Sequence, residues 1–177
     1  MGIFLFTGGT ACGKSAHAED FLCRRAAGDK LYLAAMEPFG AEALSRIARH
    51  RALRAGKGFQ TAERFRDLPG FDPGRNYDGI LVEDMGNLLA NELFSPEGAG
   101  AGAVDSVLAG VEALSRRCHL LVLVTNEIGS DGADYPPETR TYIRALGRLN
   151  AALAARCDGV ARSVCGILVP LKGEALF

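Results

Sequence analysis

A chain of 177 residues, 48% hydrophobic and 23% charged, has the make-up of an ordinary α/β domain with a sizeable core, which excludes wholesale disorder. Its formal net charge of -1 provides no global field toward nucleic acid or an anionic membrane, and no apolar run approaches the ~18 residues of a bilayer span. Five cysteines (Cys12, Cys23, Cys118, Cys157 and Cys165) lack C-x-x-C spacing, so we expect reduced, mostly buried thiols of a cytoplasmic protein rather than a disulfide or zinc framework.

The first apolar run, residues 2–7, has strand length and leaves no stretch that reads as a cleavable signal. It enters Gly8-Gly9-Thr10-Ala11-Cys12-Gly13-Lys14-Ser15, which fits G-x-x-x-x-G-K-[ST]. A helical stretch follows, with Phe21 and Leu22 on its buried side. Strand, glycine loop and helix is the order that phosphate binding needs. Glycines let backbone N–H groups turn toward phosphate oxygens, and the helix N-terminus adds its positive dipole end. Lys14 would reach the β- and γ-phosphates, and the Ser15 hydroxyl would join Mg²⁺. A glycine turn that only links a strand to a helix is the competing reading, and both flanking elements argue against it.

Residues 30–35 form a second strand, and a helix is predicted over 41–55. One face of that helix gathers Leu44, Ile47, Ala48, Ala52 and Ala55, and the other carries Arg46, His50 and Arg54. A short extended piece at 59–61 and a turn-rich link lead to a third strand, 79–84, ending in Glu83 and Asp84. Helical patterns follow at 87–94 and 104–117, separated by a Gly- and Ala-rich stretch, 95–102, that reads as a mobile surface loop. The strand at 119–125 leads through a polar loop to a helix over 138–155 that buries Tyr142, Leu146, Leu149 and Leu153. Two strands, 159–165 and 167–172, close the chain.

This alternation predicts an α/β fold of the P-loop NTPase (RecA-like) kind, a mostly parallel sheet with helices on both faces, with residues 1–177 as a single nucleotide-binding domain. Ligands of such sheets bind beyond the carboxyl ends of the strands. The glycine loop, residues 35–40, Glu83-Asp84 and Asn126-Glu127 all fall on that rim.

Glu83 or Asp84 is the candidate Mg²⁺ ligand, because an apolar strand delivers an acid beside the phosphate loop. The alternative is an acid that complements a helix N-terminus. His50 lies between Arg46 and Arg54, cations that disfavour imidazolium and could hold the phosphates of a nucleotide attacked by the ring. A solvated basic helix face is the other reading, and charge pattern alone favours it. Asn126 could contact a phosphate or base, and Glu127 could serve as acid, base or metal ligand; ordinary turn chemistry is equally open.

The whole set resembles the adenosylcobinamide kinase / adenosylcobinamide-phosphate guanylyltransferase family of cobalamin biosynthesis. Beside the glycine loop, Arg46-Ile47-Ala48-Arg49-His50-Arg51 is similar to the family's R-I-x-x-H helix, and Thr61-Ala62-Glu63 to its T-x-E segment. Glu83 with Asn91, Thr125-Asn126-Glu127-Ile128-Gly129, and Gly147-Arg148-Leu149-Asn150 fit the later motifs. The glycine loop departs from the family's G-G-x-R-S-G-K-S at Ala11 and Cys12. The resemblance implies a kinase using ATP or GTP on adenosylcobinamide. It also implies a guanylyltransferase carrying GMP on a histidine, which falls on His50, to adenosylcobinamide phosphate. It implies a homotrimer as well. The expected catalytic residues are His50, Lys14 and Glu83, with Ser15 and Glu83 on Mg²⁺. The expected nucleotide contacts are the loop Gly8, Gly9, Thr10, Ala11, Cys12, Gly13, Lys14 and Ser15, then Arg46, Arg54, Glu63, Asn126 and Glu127. A divergent P-loop small-molecule kinase, or a nucleotide-binding protein without catalysis, is the alternative.

Overall fold

The elements run β1 (Gly2–Gly8), α1 (Lys14–Arg25), β2 (Lys30–Ala34), α2 (Gly40–Leu53), β3 (Phe59–Glu63), β4 (Tyr77–Glu83), α3 (Met85–Phe94), α4 (Ala103–Ser115), β5 (Cys118–Val124), α5 (Pro137–Arg156), β6 (Gly159–Val164) and β7 (Ile167–Lys172). This computed structural model describes residues 1–38, 40–129 and 132–177, and leaves the side chains of Glu42, Ala43, Arg46 and Leu53 outside its description.

Among the described residues, seven strands join one sheet in the order β3-β2-β4-β5-β1-β6-β7. Every neighbouring pair is parallel except β6 and β7. The central strands are continuous apolar runs because helices cover both of their faces. Leu121 and Leu123 of β5 pack toward one side with Leu88, Leu149 and Leu153. Val122 and Val124 pack toward the other with Phe21 and Leu22 of α1. On that second side the rings of Phe4 and Phe6 meet Phe21 at 4.6 and 5.3 Å between centroids. The β6–β7 hairpin turns through Cys165 (φ 50) and Gly166 (φ 79), a pair of positive φ angles that matches the twist of a two-residue hairpin.

Residues 95–102 lie at the surface, as expected of a loop, and two expectations elsewhere are corrected. Glu92, 3% exposed, accepts from Ala99 N at 2.9 Å and from Asp67 N at 2.6 Å, stapling two connections to α3. On α2 the apolar face of the sequence reading is not the buried one: Leu44 is 54% exposed, and Ala48 and Ala52 are exposed. The inward side instead carries Ile47, His50 and Arg54, spaced i, i+3, i+7. That side borders a pocket shared with Tyr32, Ala34, Met36, Thr61 and Glu83, a mixed apolar and polar lining. Finally, only Cys118 and Cys157 are buried, although all five cysteines are free thiols.

Candidate functional site

The loop between β1 and α1 is shaped by backbone angles. Gly8 has φ 150, and a Cβ there would come within 2.6 Å of the Ser163 carbonyl oxygen and 2.7 Å of Cys12 Sγ. Gly13 (φ 93) caps α1, and Ala11 takes φ 56, a left-handed angle that costs a non-glycine residue roughly 1 kcal/mol or more. The β6–β7 hairpin braces this strained segment. Ser163 Oγ and Gly166 N both donate to the Cys12 carbonyl, at 2.5 and 3.1 Å, and His17 Nε2 lies 3.0 Å from the Gly166 oxygen. Lys14 is buried and donates to the Gly9 carbonyl at 3.0 Å.

Across the rim, β4 delivers its two acids to different tasks. Asp84 caps α3, accepting from Asn87 N at 2.7 Å and Asn87 Nδ2 at 2.8 Å. Glu83 turns toward the phosphate loop and accepts from Ser15 Oγ at 2.7 Å, while its Oε2 is enclosed without a hydrogen-bond partner. Burial, then the neighbouring Asp84 charge, pushes the Glu83 carboxyl up to about 8, against the Ser15 hydrogen bond and Lys14. An enclosed carboxylate oxygen beside a serine hydroxyl is a hard-oxygen donor set of the kind that suits Mg²⁺ together with phosphate oxygens and water. Among the described residues no cluster of three or more His, Cys, Asp or Glu could hold a metal by itself, so phosphate oxygens would have to complete such a site.

Between these walls lies a cavity of about 240 Å³, lined by loop residues Thr10 to Ala16, Glu83, Asn126, Arg49 and His50. His50 and Glu83 also border a smaller pocket of about 30 Å³, with Tyr32, Met36, Ile47 and Thr61. The fold thus brings His50, Lys14, Ser15, Glu83 and Asn126 to one space. The Asn126 carbonyl accepts from Asn150 Nδ2 at 3.1 Å, and Thr125 Oγ1 donates to Asn150 Oδ1 at 2.7 Å, so α5 holds the end of β5 in place.

Other expected residues stand elsewhere. Arg54 is 8% exposed, with its guanidinium 3.7 Å over the Tyr32 ring and 3.4 Å from Thr61 Oγ1. It borders the smaller pocket and not the phosphate-loop cavity. Glu63 borders the smaller pocket too and pairs with Arg51 at 3.1 Å. Glu127 is held by Arg162 at 2.6 Å and by Thr7 Oγ1 at 3.1 Å. The Arg46 side chain lies outside the described residues. Sequence reasoning passed over Arg49 as a cavity residue, because helical periodicity does not tell which side of a rim helix turns inward. It also missed Arg162, whose partner Glu127 is 35 residues away in sequence and 2.6 Å away in the fold.

Comparison with known proteins gives the chain its relatives. A family model described as cobinamide kinase / cobinamide phosphate guanyltransferase matches residues 4–171. The bifunctional adenosylcobalamin biosynthesis protein CobU of Salmonella typhimurium is 32% identical over 186 residues, spanning 96% of this chain and 99% of the relative. The protein CobP of Pseudomonas aeruginosa, with the same bifunctional description, is 32% identical over 177 residues, covering 97% and 98%. Among solved structures, an ATPase from the type III secretion system of pathogenic bacteria superposes with TM-score 0.54 at 12% identity, over 96% of this chain and 57% of that one. A KaiC-like protein of Pyrococcus horikoshii gives 0.51 at 14%, over 91% and 71%. These two likenesses establish the α/β P-loop NTPase (RecA-like) fold alone. With the family match running almost end to end, the chain belongs to the cobinamide kinase / cobinamide phosphate guanyltransferase family.

Proposed function

We propose that this protein is a bifunctional adenosylcobinamide kinase and adenosylcobinamide-phosphate guanylyltransferase that uses ATP or GTP with Mg²⁺. The observation that carries the reading is that His50 and the phosphate loop line one cavity.

In the kinase reaction the loop N–H groups and Lys14 hold the β- and γ-phosphates. Ser15 and Glu83 would hold Mg²⁺, which when bound neutralises charge on the transferred phosphoryl group. The hydroxyl of adenosylcobinamide attacks the γ-phosphorus, the bond to the β-phosphate oxygen breaks, and the nucleoside diphosphate leaves. In the second reaction a nitrogen of the His50 ring attacks the α-phosphorus of GTP. A P–N bond forms, the bond to the β-phosphate oxygen breaks, and pyrophosphate leaves. A phosphate oxygen of adenosylcobinamide phosphate then attacks the same phosphorus, releasing the imidazole and giving adenosylcobinamide-GDP. Arg49 stands beside His50 in the cavity, where its guanidinium suits charge building on the α-phosphate.

GTP labelled at the α-phosphate tests this reading. We expect an acid-labile label on the wild type and none on His50→Ala. No label on the wild type, or label surviving on the variant, would sink the role of His50.

A homotrimer and a cytoplasmic location belong to the same proposal. Ile167, Val169 and Leu171 project from the edge strand β7 at 68%, 40% and 60% exposure, an apolar row that self-association would cover. Light scattering of the purified protein measures the assembly directly. Five free thiols suit a reducing compartment, and among the described residues no helix is long and apolar enough to cross a membrane. A single sheet that takes in every strand among the described residues supports residues 1–177 as one domain.

A further inference from the structure

Glu19 is a buried carboxylate that neither reaction uses. It sits on α1 with no exposed surface, and its Oε2 accepts from Lys57 Nζ at 2.9 Å. Lys57 reaches Asp20 Oδ1 as well, at 3.1 Å. Burying a carboxylate is unfavourable unless an opposite charge and hydrogen bonds compensate it, so this contact is specific rather than incidental. Lys57 belongs to the turn that closes α2, where its backbone N donates to the Arg54 carbonyl at 3.1 Å. Arg54 N in turn donates to the His50 carbonyl at 3.3 Å. A short chain of hydrogen bonds therefore runs from α1, whose first turn holds Lys14 and Ser15, to the backbone of His50.

The opposite end of α2 offers no comparable anchor among the described side chains: Ala41, Leu44, Ser45 and Ala48 are all exposed. Among the described residues, contacts at its C-terminal end include Arg54 over Tyr32, Arg51 with Glu63, and Lys57 with Glu19 and Asp20. Of these, only the Lys57 pairs bind α2 to the helix that carries the phosphate loop.

We propose that Lys57 is a positioning residue for nucleotidyl transfer, its ion pairs with Glu19 and Asp20 fixing the end of α2 to α1 so that His50 keeps its place in the phosphate-loop cavity. This rests on the reading of His50 as the nucleophile.

The test measures single-turnover labelling of the protein by α-phosphate-labelled GTP, kinase turnover, and amide hydrogen exchange across residues 47–57. In Lys57→Met we expect labelling to slow roughly 10- to 100-fold, the penalty of a misplaced nucleophile. Kinase turnover should change less than about threefold, because the phosphate loop stays intact, and exchange over 47–57 should rise. Lys57→Arg should restore labelling. Because Lys57→Met leaves Glu19 uncompensated, Glu19→Gln combined with Lys57→Gln provides a neutral second variant, which should show the same split between the two activities. Equal losses of labelling and kinase turnover in both variants would overturn the proposal, as would wild-type labelling in both. A wild type that forms no adduct removes the His50 reading alone. The clamp is then judged by exchange, and unchanged protection of 47–57 in Lys57→Met overturns it.

Discussion

The Ser15 hydroxyl donates to Glu83 Oε1 at 2.7 Å, joining the first turn of α1 to the end of β4. The same carboxylate leaves Oε2 enclosed and without a partner. A buried half-satisfied acid is costly to stability, and sites that bind a metal and phosphates are where such a cost is retained.

The protonation of Glu83 gives the apo protein a pH dependence. Its carboxyl is raised from 4.5 to about 8, so the folded state binds a proton that the unfolded state has lost over that window. The stability it contributes is full below about 4.5 and is lost as pH rises through about 8. Urea denaturation without nucleotide should show the wild type losing stability from pH 5 to pH 8.5 relative to Glu83→Gln. A parallel pH dependence in the two proteins would contradict this assignment.

Gly8→Ala should destabilise the protein by about 2 to 4 kcal/mol, since its Cβ would meet the Ser163 carbonyl of the adjacent strand at φ 150. Ser163→Ala removes one donor to the Cys12 carbonyl and should cost about 1 kcal/mol while loosening nucleotide binding. Denaturant midpoints and nucleotide titrations on the two variants measure both effects.

Arg54 and Arg49 are expected to separate cleanly. Arg54→Met loses the contact with the Tyr32 face and should cost about 1 to 2 kcal/mol of stability, with nucleotide affinity within about threefold of wild type. Arg49→Ala should leave stability within about 0.5 kcal/mol, as for an exposed site, yet slow GMP transfer by roughly 100-fold. Finding the reverse pattern would return Arg54 to the nucleotide.

Glu92→Ala should cost about 2 to 4 kcal/mol, because Asp67 N and Ala99 N lose their shared acceptor at a buried position. Proteolysis within residues 95–102 should accelerate in the variant, and equal cleavage rates would show that the staple does not hold that segment.

The amino-acid sequence alone determined the strands and the phosphate loop, because both are local. Apolar runs such as Leu120 to Val124 are buried on both faces wherever they sit in a parallel sheet, and the glycines between Gly8 and Gly13 answer to backbone angles within a few residues. It also carried the family, since motifs from Gly8 to Asn150 keep their order along the chain. Tertiary structure alone decided which acid faces the loop, which side of α2 turns inward, and which charges find partners. Asp84 and Glu83 are adjacent in sequence, and only the direction of the chain leaving β4 gives one to the α3 cap and the other to Ser15. Glu19 and Lys57, or Glu127 and Arg162, meet through contacts between elements distant in sequence. A charge can be recognised in a sequence, but its partner depends on packing, as the Arg54 guanidinium over the face of Tyr32 shows.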